Sequence, residues 1–295
     1  LTSDRERDSF THELPNDRAW TVRLPYTDKR KEMVVYTDCY ALNNGWVWTV
    51  PLQNRIGKGY NFSSRFTSDE DALEEFKKHL GYPKETLSDY RLIKFRTGLS
   101  DKPWRGKVLS IGLSGGFIEP LESNSLLSVH DWLIEASKVL TLPVIRKADI
   151  NFFNTYVREK FINFKDFVAL HYHLSTREDT PYWKYVADRI EYDYNSGLLD
   201  NLFLRFASEK HVILSVSGDP AHNDGLRYVG AGMGVNPINK HTMALSRLQH
   251  GISDEEYQND LIDAELNFDN WNKSMYDWCN SLPSSYEFQK QTIYS

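Results

Sequence analysis

Cysteine is nearly missing from this chain: Cys39 and Cys279 are the only two in 295 residues. They lie far apart, with no second Cys or His at zinc-finger spacing. That excludes a disulfide framework and a Cys-based metal site, so no metal is expected, and it implies a reducing, cytoplasmic setting. Long apolar runs are missing as well. "KVLTLPVI" is among the longest, far below the ~20 residues a bilayer span needs. No Lys/Arg block interrupts the formal net charge of −6, so neither nucleic acid nor an anionic membrane is an expected partner. The first residues, "LTSDRERD", are charged and lack a signal-peptide pattern. The chain starts with Leu1 and not Met, which reads as a processed or truncated product.

Aromatic residues, by contrast, are plentiful at 14%, with 8 Trp and 17 Tyr. A large aromatic core is the first reading of that richness, and an aromatic-lined ligand cavity the second. From Met33 to about Leu113 short β-rich runs recur: "MVVYT", "GWVWTV", "GYNFSSRF", "DYRLIKFRTG" and "GKVLSIGL", separated by Gly, Asn and Pro turn signals. One helix interrupts them, capped by Thr67 or Ser68, striped by Leu73, Phe76 and Leu80, tied by a Glu74–Lys78 pair and ended by Gly81. After Gly116 apolar residues recur at helical spacing over 121–140, 150–170, 180–206 and 239–266, with "SDEE" at 253–256 as a capping box. The final "NFDNWNKSMYDWCNSLPSSYEFQKQTIYS" shows no clear periodicity. The expected class is therefore α+β, with a strand-rich front (1–125) and a mainly helical back (126–295).

The junction "IGLSGGFIEPLESNSLLSVHDW" places Glu119 and Glu122 where a strand ends and a helix begins. Ser114, Gly115 and Gly116 would let backbone approach a flat ligand closely. Pro120 suits a first helical turn, and the following residues, Glu122 to Ser125, offer unpaired N–H groups that form a ready anion site. Spacing alone has a plainer reading. Acids at a helix start gain ~0.3–1 kcal/mol from the helix dipole, and Ser and Asn are ordinary caps. Glu119 is taken mainly as such a dipole-complementing acid.

The words around this junction carry more. "GFIEPLES", together with "GWVWTVPLQNRIGKGYNFSSRF", resembles the flavin-dependent tryptophan halogenase family. The Trp-x-Trp-x-Ile-Pro signature appears as Trp46-Val47-Trp48-Thr49-Val50-Pro51, with Val in place of Ile. "LPNDRAW", "FTSDEDA", "FVALHYHLSTREDTPYW" and, more loosely, "GAGMGVNP" follow in family order, from about residue 10 to 240. The resemblance implies a partial flavoprotein-monooxygenase-like architecture, with a sheet portion belonging to the flavin domain and a helical substrate region. It implies FAD as FADH2 delivered by a separate flavin reductase, a halide ion oxidised to hypohalous acid, and halogenation of an electron-rich aromatic small molecule.

By the same resemblance Glu122 is the catalytic carboxylate, orienting the oxidant or accepting the ring proton. Asn124 and Ser125 supply halide-binding amides. Leu113 and Leu126 match positions that line the flavin, so the flat ligand approached by Ser114, Gly115 and Gly116 would be that cofactor, and Trp46, Trp48 and Pro51 partition flavin from substrate. The Ser123-Asn124-Ser125 word departs from the family's usual Ser-Thr, which leaves halide preference open. The family's G-x-G-x-x-G fingerprint and essential Lys are not identifiable: Gly57-Lys58-Gly59 lacks a third glycine, and Gly230-Ala231-Gly232-Met233-Gly234 falls in another context. The chain is thus expected to be the C-terminal part of such an enzyme, binding FAD poorly by itself. Oligomeric state is left open, a homo-oligomer included.

Alternatives come from other classes: an aromatic monooxygenase on the same scaffold, and a non-catalytic aromatic-binding module. His171 and His173, two apart, would share one side of a strand, yet no third ligand is near and both read as structural. "SVSGDPAHNDG" lacks a nucleophile elbow, so a hydrolase triad is not expected. Asn272-Lys273-Ser274 has sequon form without a sign of secretion. Trp271, Tyr276 and Trp278 read first as core and second as a substrate clamp.

Overall fold

Alternation along β-rich segments decides which side chains meet in this protein. A computed structural model describes residues 7–81, 89–188, 229, 232–233 and 251–292. Five strands, β2 (Arg18–Leu24), β3 (Asp38–Leu42), β4 (Gly45–Leu52), β5 (Arg55–Phe62) and β6 (Arg91–Lys94), pair antiparallel in the order β3-β4-β5-β2-β6. Successive side chains point to opposite faces. One face buries Val22, Val47, Tyr60 and Phe62, and α2 (Asp69–Leu80) covers it with Ala72 and Phe76. The other face carries Trp46, Trp48 and Asn61 toward the helices. Register sets Trp46 opposite Asn61 and Trp48 opposite Gly59. A Cβ on Gly59 would lie 2.0 Å from the Trp48 ring, so Gly there lets the indole lie against the neighbouring strand. Pro51 sits on β4 past the last β3 pairing at Thr49, where a missing ladder N–H costs nothing.

Preceding β2, strand β1 (Arg7–Ser9) joins β7 (Gly98–Ser100) and β10 (Gly116–Phe117) in a second sheet, and β8 (Trp104–Arg105) pairs with β9 (Val108–Leu109). A short α1 (Lys29–Glu32) lies between β2 and β3. The helical part comprises α3 (Asn124–Leu140), α4 (Lys147–His173), α5 (Pro181–Asp188), α6 (Asp254–Ser281) and α7 (Ser285–Thr292). Helix α4 buries Phe153, Val157, Phe161, Phe164, Val168 and Tyr172 against Trp132 and Ala136 of α3, Tyr182 of α5, and Trp46, Leu99 and Ile118 from the strands. Strand and helix residues thus share one cluster. Among the described residues no helix is long and apolar enough to cross a membrane.

Several expectations need correction. "MVVYT" is not a strand: Val35 and Tyr36 are exposed, and β3 begins at Asp38. "GKVLSIGL" yields a two-residue strand and then a 3-10 turn at Gly112–Ser114. Strand β2 lies within the strand-rich front but ahead of Met33, where the β-rich runs were expected to begin, and its alternating "RAWTVRL" buries Ala19, Val22 and Leu24. Helix α2 keeps its expected caps, Ser68 accepting from Asp71 N and Gly81 at φ +67. The buried stripe is Ala72 and Phe76, and Glu74 pairs with Lys77 at 2.7 Å, not with Lys78. The final stretch is helical, α6 running to Ser281 behind its Ser253/Glu256 capping box. Trp271, Tyr276 and Trp278 are exposed on α6 and contribute nothing to the core, and Asn272 lies on the same helix. The parts of the expected helices beyond Asp188 and before Gly251, and the "SVSGDPAHNDG" word, lie outside the described residues, as does most of "GAGMGVNP".

Candidate functional site

Two glutamates three residues apart leave β10 for opposite surroundings. Glu119 follows Ile118 into the interior, where its exposure is 0%. Four donors converge on its Oε2: Asn16 Nδ2 at 2.9 Å, Asn61 Nδ2 at 2.7 Å, Trp46 Nε1 at 3.3 Å and the Tyr172 hydroxyl in a very short contact. The Tyr172 oxygen itself accepts from Asn16 Nδ2 at 3.0 Å and Trp46 Nε1 at 2.9 Å. Register explains half of this, since the cross-strand pair Trp46 and Asn61 presents both N–H groups side by side. Helix α4 delivers Tyr172 one residue before its end, and Asn16 comes from the loop just ahead of β2.

Burial pushes the Glu119 carboxyl above its ordinary range, and the four donors pull the other way. Burial likewise holds the Tyr172 and Tyr182 phenols well above theirs, next to Glu119. Glu119 Oε1 finds no hydrogen-bond partner among the described residues. The dipole-complementing role expected for Glu119 is therefore wrong. Glu119 is the acceptor on which the interior polar network closes, and leaving four buried donors unpaired would cost ~1–3 kcal/mol for each.

Glu122 goes the other way. Pro120 does not open the helix as expected. A 3-10 turn at Leu121–Ser123 intervenes, and α3 starts only at Asn124. Ser123 N donates back to Pro120 O at 3.3 Å. Glu122 and Ser123 both adopt left-handed backbone, φ +59 and +54. Glu and Ser are less tolerant of that region than Asn or Asp, so the pair stores strain that surrounding contacts must hold. This backbone turns the Glu122 side chain, 47% exposed, out of line with α3 and toward α4. There His171 Nε2 stands 3.4 Å from Glu122 Oε1. That contact holds the Glu122 carboxyl below its ordinary range, against some burial.

The first turn of α3 lacks a side-chain cap at Ser123. The leading amides of any helix have no intrahelical partner. Ser125 is half-buried, and its hydroxyl oxygen finds no partner among the described residues. Leu113 and Leu126 are 69% and 77% exposed on either side of the junction, while Ser114 Oγ donates to Ile111 O at 2.9 Å. The two glycines behave differently from expectation. A Cβ on Gly115 would meet the Trp132 ring at 2.3 Å, and one on Gly116 would meet Phe161 at 2.8 Å. Protein fills that space, so both are small because Trp132 and Phe161 need the room.

Trp46 is 6% exposed, and its ring centroid lies 5.8 Å from that of the partly buried Trp48, the planes tilted by 58°. His171 and His173 lie on a helix and not on one side of a strand, and among the described residues no cluster of three metal-ligating side chains exists. Sequence reasoning missed Asn16, Asn61 and Tyr172. Each sits in a word already singled out, "LPNDRAW", "GYNFSSRF" and "LHYHL". What the words do not reveal is that they meet at one carboxylate.

Known proteins share this arrangement of chain. The family model for tryptophan halogenase matches residues 3–244. Tryptophan 7-halogenase RebH of Lentzea aerocolonigenes is 33% identical over 171 residues, which is 58% of this chain and 32% of RebH. The VirX1 apo structure superposes at a TM-score of 0.85 with 31% identity, covering 99% of this chain and 55% of that one. Tar14, a tryptophan C-6 flavin-dependent halogenase (chlorinase) from taromycin biosynthesis, superposes at 0.66 with 26% identity, covering 78% and 45%. The chain thus spans about half or less of the length of these relatives.

Proposed function

The chain belongs to the tryptophan halogenase family, and on that premise we propose that its junction at Glu119–Leu126 serves the halogenation of an electron-rich aromatic ring of the tryptophan or indole kind. One observation carries the reading: a half-exposed carboxylate, Glu122, on strained backbone directly ahead of an uncapped helix start at Asn124. An anion at the Asn124 and Ser125 amides would be favoured by the partial positive charge there, and the unpartnered Ser125 hydroxyl is suited to face it. The left-handed turn carries the Glu122 carboxylate toward His171 and away from the α3 axis, which removes the repulsion that a halide would otherwise meet.

A flavin fits the junction through the exposed Leu113 and Leu126, apolar surface that a flat ring would cover. When bound, reduced FAD from a separate reductase would supply, with oxygen, the oxidising power that converts halide to hypohalous acid. This chain's residues do the rest. Trp46, fixed by Glu119 and Tyr172, and Trp48 beside it form a rigid wall, with Pro51 at its end, between the flavin side and the aromatic guest. Glu122 accepts the proton that the ring releases once halogen has added, a task for an ionised carboxylate in a partly dry site.

The test is an assay of the protein at its full encoded length with FAD, a flavin reductase, bromide or chloride, and an indole. A halogenated product that requires halide is expected. Hydroxyindole formed regardless of halide would overturn the reading in favour of an oxygen-inserting enzyme. Bromide-soaked crystals offer a second check through an anomalous peak at the Asn124 and Ser125 amides.

A further inference from the structure

Adjacent residues near the end of α4 take hold of the two glutamates: Tyr172 reaches Glu119 and His171 reaches Glu122. The His171 contact has a chemical consequence. Its Nδ1 lies 2.9 Å from the Phe167 carbonyl oxygen, one helical turn back. A carbonyl only accepts, so Nδ1 carries a hydrogen and the tautomer is fixed. The other nitrogen, Nε2, is buried, has no conventional hydrogen-bond partner among the described residues, and faces Glu122 Oε1 at 3.4 Å. A neutral ring in this tautomer would set a lone pair against a carboxylate oxygen, two acceptors in opposition. The approach is attractive only with a proton between the two groups.

His171 lies in the last turn of α4. The Phe167 ring packs edge-on against it, the centroids 4.9 Å apart, and fixes its plane. Among the described residues Cys39 of β3 also interacts with Glu122. Its thiol is held above its ordinary range by burial first and then by Asp38 and Glu122, so it stays neutral and adds no negative charge beside the carboxylate.

We propose that His171 is the positioning residue of the Glu122 carboxylate: it holds Oε1, keeps a proton beside it, and leaves Oε2 to face the aromatic substrate. This rests on the reading of Glu122 as the group that receives the ring proton. In that step the ring C–H bond breaks, its electron pair returns to the aromatic system, and the proton passes to Oε2. The carboxylate must be ionised beforehand, and the His171 contact favours that form by holding the Glu122 carboxyl below its ordinary range.

The experiment compares wild type, His171→Phe, His171→Gln and Glu122→Gln at full encoded length, measuring kcat and the pH dependence of kcat/KM. His171→Phe is expected to lose about 10–100-fold in kcat, the scale of a misplaced reacting group, and its acidic limb is expected to move to higher pH. His171→Gln keeps a donor without the charge. It should recover part of kcat while its acidic limb stays displaced, and it decides the matter alone if the phenylalanine variant does not fold. An acidic limb at the wild-type position in both variants overturns the proposal, even if kcat falls, because the histidine would then be merely structural. Wild-type activity in Glu122→Gln would overturn the underlying reading of Glu122 and this proposal with it, a distinguishable result.

Discussion

Glu119 and Glu122 share a chemistry, a turn and a family word, yet the fold assigns them opposite conditions. Glu119 is sealed from water with four donors on one oxygen. Glu122 is half-exposed, with one basic neighbour and backbone in the left-handed region. Environment pushes the first carboxyl up from the ordinary value of 4.5 and the second down from it. Such a split separates a group that organises structure from a group available for proton transfer. The comparison teaches that spacing to a helix start says little about an acid's role. What decides it is which strand and helix side chains the fold brings to it.

The strongest way to break this comparison is to remove each carboxylate in turn. Glu122→Gln should cut halogenation about 10²–10⁴-fold, the range of a lost general base, while flavin oxidation continues near the wild-type rate. Parallel assays of product and oxygen consumption would check it, and equal loss of both would make Glu122 structural. Glu119→Ala should fail differently, by stability: the buried network loses its acceptor at a cost of ~3–5 kcal/mol, lowering the thermal midpoint on the order of 10 °C. Glu119→Gln, which keeps an acceptor oxygen, should lose less. Gly59→Ala sharpens the picture of the wall. Its Cβ would intrude on Trp48, with an expected loss of ~1–3 kcal/mol from overpacking and a displaced indole visible in a crystal structure. Ser68→Ala is the distant control. Losing the α2 cap should cost ~1 kcal/mol in a denaturant melt and leave activity per folded molecule unchanged.

The two carboxylates should also give opposite pH dependences of stability. Glu119, with its folded value raised, contributes fully below the ordinary carboxylate range, and the contribution is lost as pH rises from there through the raised value. Glu122, with its folded value lowered, contributes above that range and loses the contribution as pH falls through the lowered value. Denaturation profiles of the two Gln variants against wild type would expose the difference, and matching slopes would refute it.

Much of the fold is legible in residues whose neighbours in sequence settle their state. Ser68 and Gly81 bound α2 by capping chemistry, and Ser253 with Glu256 opens α6. The Trp46–Trp48 word reads as a strand because aromatic and β-branched residues dominate it between turn signals. Legibility fails where distant parts decide. Val35 and Tyr36 have strand propensity but no partner strand, so they stay in a loop. The left-handed turn at Glu122–Ser123 is unfavourable for both residues and exists because the chain must pass from β10 to α3 while Glu119 stays anchored. Asn16, Asn61 and Tyr172 carry no local signal for meeting, since they lie on a loop, a strand and a helix far apart in sequence. Gly115 and Gly116 look like a ligand cradle by composition, whereas the space beside them belongs to Trp132 and Phe161.

Carboxyl-carbon NMR titration of glutamate-labelled protein, with Glu119 and Glu122 assigned through their Gln variants, tests the division of roles most directly. Glu119 should titrate above 4.5 and Glu122 below it. Coincident midpoints, or the reverse order, would contradict it.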